Sequence, residues 1–200
     1  MPGFLTLVTE DLPSQVLAHR LLAHIDPDAR FTQSLGRRGV GYIASKLRSL
    51  NQAASGLKVV VLIDRDLPQN CPSNLIEAWL GGPRHANLVI RFAEMEIESW
   101  IMADGESLAA FLQVPLNRIS QMPDLLNDPK QVLVNIARLS RNRRIREDMC
   151  PAEGASALVG PAYNSTLEIF LRQEWRPAHA ILHSPSLRRA EQRIRELALR

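Results

Sequence analysis

The chain has 200 residues, 46% hydrophobic and 22% charged, the proportions of one folded globular domain and not of a disordered, collagen-like or disulfide-scaffold chain. No apolar run reaches the roughly 18–20 residues a spanning helix needs, and the first residues lack the basic-then-apolar pattern of a secretory signal, so no membrane partner and a cytoplasmic location are expected. Net charge is +3, and 21 of the 24 cations are arginine, which permits a polyanionic partner because the guanidinium fork grips phosphate with two donors.

Strands and helices alternate along the chain, which predicts an α/β fold with a mainly parallel central sheet flanked by helices. Residues 4–8 form a short apolar strand, followed by a helix to about His24, a short strand over 31–35 and a helix over 40–54. The continuous run Val59, Val60, Val61, Leu62, Ile63 reads as a central strand buried on both faces. It ends in Asp64-Arg65-Asp66 and breaks at Pro68. A helix over 73–80, a strand over 87–92, a helix from about Met95 to Ala103 and a shorter one over 106–112 come next. Beyond these lie a helix from Pro129 through Leu139, an arginine cluster, a loop over 154–161, a helix over 165–175, a strand over 178–182 and a last helix over 186–199. Residues 1–105 and 177–200 would form the core, with 106–176 as a helical, arginine-rich insertion in a single domain.

Cys71 and Cys150 are far apart and form no CxxC pair, and His19 and His24 have the wrong spacing for two ligands on one helical face, so no zinc site is expected. The informative feature is where the acids fall. Sites in open parallel sheets form beyond the carboxyl ends of strands, and three such ends carry acids: Glu10, then Asp64 and Asp66, then Glu94, Glu96 and Glu98. Gathered carboxylates repel, and magnesium, which takes hard oxygen ligands and shares its shell with phosphates, would neutralise them. On extended chain Asp64 and Asp66 project to one side. Helical spacing makes Glu98 the best further ligand, on one flank with Glu94, and Glu96 on the other flank the second. The alternative for Asp64 and Asp66 is a turn or helix cap, and for the glutamates a solvated helix start.

A glutamate after the first strand, an Asp-X-Asp after a later apolar strand and a following acidic helix resemble the Toprim domain of topoisomerases, primases and the overcoming-lysogenization-defect nucleases. More narrowly, Arg91-Phe92-Ala93, Glu96-Ile97-Glu98-Ser99-Trp100, Asp128-Pro129-Lys130, Gly160-Pro161-Ala162-Tyr163-Asn164 and Ser184-Pro185-Ser186-Leu187 look like a bacterial Toprim-like family across nearly the whole chain. The resemblance implies a nuclease: phosphodiester cleavage of DNA or RNA dependent on Mg2+ or Mn2+, carried by Glu10, Asp64, Asp66 and Glu98, with Glu10 as ligand or base. It also implies an ATPase partner in phage defence. One position departs from the pattern, since the glycine that commonly follows the Toprim glutamate is Asp11 here. That substitution hinders close backbone approach to a phosphate and adds a further carboxylate.

Lys130, one of three lysines, is a candidate transition-state cation or a surface residue at a helix start. Arg188 and Arg189 beside Ser184 and Ser186 could hold phosphate at a helix N-terminus, or the serines could cap that helix. Arg141, Arg143 and Arg144 could track a nucleic-acid backbone or form a solvated face. Trp79, Trp100 and Trp175 all fall at apolar helical positions, which leaves few rings for base stacking and disfavours sequence-specific readout. Phosphate-loop, nucleophile-elbow and dinucleotide fingerprints are absent from the sequence. A noncatalytic adaptor for nucleic acid or an ATPase, and a nucleotide phosphatase or phosphotransferase, are the competing readings.

Overall fold

The computed structural model describes residues 4–36, 39–65 and 71–200. Its centre is a four-stranded parallel sheet in the order β2-β1-β3-β4, made of β1 (Phe4–Thr9), β2 (Arg30–Gly36), β3 (Lys58–Asp64) and β4 (Leu88–Ala93). Helices α1 (Leu12–Ile25), α2 (Val40–Ala53) and α3 (Pro72–Leu80) alternate with the strands. After β4 come α4 (Ile97–Met102), α5 (Gly105–Leu112), α6 (Pro129–Arg138), α7 (Arg143–Met149), α8 (Tyr163–Gln173), α9 (Pro177–His183) and α10 (Pro185–Ala198). The expected α/β class is thus observed, in a Rossmann-like form. Among the described residues no helix is long and apolar enough to cross a membrane.

Successive β3 side chains serve two cores, which is why the strand is apolar at every position. Val60 and Leu62 join the core under α1 and α10, while Val59, Val61 and Ile63 pack with Ile43 and Leu47 of α2. From β1 the chain moves one way to β2 and, after α2, crosses back to β3 on the opposite side. The reversal between β1 and β3 opens the crevice where ligands of such sheets settle. Glu10 and Asp64 stand at its two lips.

Residues 106–176 do not form a separate body. Leu108, Leu133, Phe170, Leu171 and Trp175 are buried in the same core as Leu5, Leu7, Val60 and Leu62. Asp104, 1% exposed, accepts hydrogen bonds from the Arg176 backbone N–H at 2.7 Å and from its Nη2 at 2.6 Å. This clamp fixes the approach to α9 against the start of α5.

Three elements depart from the sequence expectation. Residues 178–182, expected as a strand, lie in α9: Pro177 occupies its first turn, Pro177 and Ala180 are buried and Ile181 packs against the same core, a spacing of three and four and not an alternation. The short apolar run left the two periods indistinguishable. The helix expected from Met95 starts at Ile97, because Met95 adopts φ 62° and Glu96 is the N-cap. Glu94 therefore stands outside the helix and shares no flank with Glu98. Helix α7, capped by Asn142 accepting from the Arg144 N–H, was legible only as an arginine cluster.

Gly36 closes β2 opposite Thr9 at φ 109°, and a Cβ there would lie 2.0 Å from the Thr9 carbonyl oxygen. Gly36→Ala is expected to lower unfolding free energy by roughly 2–4 kcal/mol, read by urea denaturation, and an unchanged midpoint would contradict the geometry.

Candidate functional site

Glu10 and Asp64 at the carboxyl end of the sheet are each held by a backbone donor of another element. Glu10, one residue past β1, accepts the Asp64 N–H on Oε1 at 2.8 Å. Asp64, the last residue of β3, accepts the Ile97 N–H at the start of α4 on Oδ1 at 2.9 Å. The two hydrogen bonds link β1, β3 and α4. Asp11, the departure from the Toprim pattern, caps α1 by accepting the Ser14 N–H at 2.8 Å, so its carboxylate already has structural work.

Glu98 faces inward from α4 and is 3% exposed. Its Oε1 accepts the Tyr163 hydroxyl at 3.1 Å and lies 3.7 Å from Lys130 Nζ, while its Oε2 is buried with no hydrogen-bond partner. Burial raises the Glu98 carboxyl to about 7; Lys130 opposes the shift, and the charges of Glu96 and Asp11 add to it. The Asp64 carboxyl is pushed well above the usual range by burial and then by Glu98, Asp11 and Glu10, with Lys130 opposing. These couplings mark the acids as neighbours. Lys130 has burial working against its charge, but Glu98, Glu96 and Asp64 together raise its ammonium above the usual range.

Glu96 is more heavily committed. Its Oε2 accepts the Lys130 backbone N–H and its Oε1 the Lys130 Nζ, both at 2.8 Å. Glu94 pairs instead with Arg65 at 2.7 Å and Arg189 at 3.6 Å. Of the expected residues, the structure therefore gathers Glu10, Asp64, Glu96, Glu98 and Lys130, and Asp66 lies outside the described residues.

The other candidates lie elsewhere. Ser184 Oγ donates to Asp124 Oδ1 at 2.7 Å, the Ser186 N–H donates to Asp124 Oδ2 at 2.8 Å, and Ser184 Oγ also caps α10 through the Leu187 N–H. An internal carboxylate thus occupies the place where a phosphate was expected; Ser184 is the cap, and Ser186 Oγ accepts the Trp100 indole N–H at 2.6 Å. Arg188 and Arg189 are exposed beyond them. On α7, Arg143 meets Glu147 at 2.7 Å and Arg144 meets Asp148 at 3.4 Å, each one turn apart, while Arg141 is exposed just before the helix.

Sequence reasoning assigned no role to Tyr163, Asp124 or Asp104. Tyr163 falls in one of the Toprim-like stretches, and its placement is set by Gly160, where a Cβ would lie 2.4 Å from the Asp148 carbonyl oxygen. That close approach lets the Gly160 and Ala162 N–H groups bond to the Met149 and Asp148 carbonyls at 2.9 Å, which delivers Tyr163 to Glu98.

Among the described residues no three His, Cys, Asp or Glu side chains form a ready-made metal cage. The donor chemistry nonetheless fits a hard divalent cation. The acids offer carboxylate oxygens only, and the buried Glu98 Oε2 lacks the partner that a buried acceptor requires.

Because the folded state favours protonated Glu98, this group's contribution to stability is complete below its ordinary pKa of 4.5 and is lost as pH rises through about 7. In the metal-free protein, Glu98→Gln is therefore expected to gain roughly 2–3 kcal/mol over the parent at about pH 8 relative to about pH 4.5. Urea denaturation at the two pH values measures it, and an equal difference at both would refute the assignment. No family model, curated protein or solved structure significantly matches this chain.

Proposed function

We propose that the chain is a divalent-metal-dependent phosphodiesterase of Toprim type that cleaves DNA or RNA. One observation carries the reading: Glu10 and Asp64, braced against each other at the crevice between β1 and β3, share their electrostatic environment with Glu98, whose buried Oε2 has no partner. The five Toprim-like stretches support it, and two of them contribute Glu98 and Tyr163 to the same contact.

Glu10, Asp64 and Glu98 would hold Mg2+ or Mn2+, with Asp66 as a further ligand and Glu96 kept on Lys130. When bound, such a cation supplies an activated water and stabilises the departing oxygen of a phosphodiester. The chain's own residues do the positioning. Backbone N–H groups orient the Glu10 and Asp64 carboxylates, the Tyr163 hydroxyl fixes one oxygen of Glu98, and Lys130 places a cation beside the site to oppose negative charge developing on a phosphate. An ATPase partner and a role in phage defence follow from the resemblance and belong to the same proposal.

The adaptor reading has one observation of its own. Lys130 already balances Glu96 and stands near Glu98, an arrangement that persists without added ions. Plasmid and single-stranded substrates incubated with Mg2+ or Mn2+ separate the two. Cleavage is expected in the parent and is expected to fall by more than about 100-fold in Asp64→Asn, with saturable Mn2+ binding by calorimetry reduced in parallel. Equal cleavage in the variant defeats the proposal. Absence of both cleavage and Mn2+ binding in the parent favours the adaptor, and preference for mononucleotides over polynucleotides identifies a phosphatase.

A further inference from the structure

Four surface arginines are each balanced by an acid one helical turn away: Arg143 by Glu147, Arg144 by Asp148, Arg172 by Glu168, Arg195 by Glu191. At the outer edge of β4, Arg193 has such a partner in Glu196 at 2.8 Å, but arginines from a loop, a strand and α10 gather around it. Arg91 shares a strand face with Val89 and Ala93, which belong to the core on the α10 side, whereas Leu88, Ile90 and Phe92 face α2 and α3. Helix α10 packs across β4 and bears Arg189 and Arg193 one turn apart, 60% and 57% exposed. Arg84 is exposed on the turn leading into the strand.

Arg91 is half-buried, and its Nε has no hydrogen-bond partner. Burial weakens its hold on its proton, the charges of Arg193, Arg84 and Arg189 add to that effect, and Glu196 opposes them. Like charges one turn apart also repel along α10. The group continues toward the acid cluster: Arg189 reaches Glu94 at 3.6 Å, Glu94 pairs with Arg65 at 2.7 Å, and Arg65 directly follows Asp64. Arg65 and Arg189 thus meet at Glu94, and Arg193 and Arg91 both feel Glu196.

We infer that Arg65, Arg84, Arg91, Arg189 and Arg193 form a track for a phosphodiester backbone, which leads a nucleic-acid strand over the β4 edge to Glu10 and Asp64. The inference rests on the functional reading above and moves the contact surface away from α7. Backbone contact is favoured over base readout because the belt presents charge without stacking rings. A protein partner would need apolar anchors at the centre of its footprint. Among the described residues, no large exposed apolar side chain falls within 84–94 or 185–196.

The test is fluorescence anisotropy with a labelled oligodeoxythymidylate and a labelled duplex, in EDTA, across a potassium chloride series. Arg189→Ala with Arg193→Ala is expected to weaken binding at least about tenfold at moderate salt and to lower the slope of log affinity against log salt by roughly 2. Arg143→Ala with Arg144→Ala is expected to change neither. Thermal melting confirms folding, and Arg193→Ala alone, expected to lower the slope by about 1, serves as the milder variant. Unchanged affinity and slope in the belt variants, an equal loss in the α7 variant, or polyglutamate competing as well as unlabelled oligonucleotide would overturn the inference. Belt-dependent binding without metal-dependent cleavage upholds the track and removes the enzymatic reading. Cleavage with unchanged KM in the belt variant removes the track alone.

Discussion

Glu10, Asp64, Glu96 and Glu98 carry charges that repel one another, and the carboxyl end of the sheet is built around holding them together. Two devices make the arrangement tolerable. Backbone N–H groups of Asp64 and Ile97 donate to Glu10 and Asp64, so the oxygens that lost water in folding regain hydrogen bonds from donors that cannot move away. Lys130 supplies a positive charge at close range and is itself fixed through its backbone by Glu96. Glu98 receives least of this help. It is buried and holds one hydroxyl partner, and burial raises its carboxyl to about 7.

The sheet explains why these side chains meet at all. Reversal of the winding direction between β1 and β3 leaves their carboxyl ends uncovered by a direct connection. Strand β3 can occupy the centre because every residue from Val59 to Ile63 finds a core, alternately toward α1 and α2. Positive charge is divided unequally around this frame: α7 pairs Arg143 and Arg144 with acids of its own, while the β4 edge collects arginines from a loop, a strand and α10.

Much of this was legible in the amino-acid order. Apolar runs bounded by Pro and acids located the four strands, and the placement of Glu10 and Asp64 just past strand ends follows from position alone. What escaped depends on partners distant in sequence. Tyr163 acquires meaning only from Glu98, 65 residues earlier. Ser184 and Ser186 read equally as phosphate ligands or caps until Asp124 is seen beside them. The arginine belt is invisible for the same reason, whereas the consecutive arginines near residue 143 drew notice although acids one turn on balance them. Residues 178–182 failed differently: five apolar-leaning positions are too few to distinguish a period of two from one near three.

Asp124 has one further implication. It sits in the middle stretch of the chain yet completes the first turn of α10, the helix that covers β3 and β4, and Asp104 with Arg176 ties the two ends of that stretch together. Excising 106–176 to obtain a minimal α/β unit would strip the last helix of its anchoring carboxylate and remove Phe170 and Trp175 from the shared interior. What looks in the sequence like an ornament on an older scaffold is, mechanically, part of its keel.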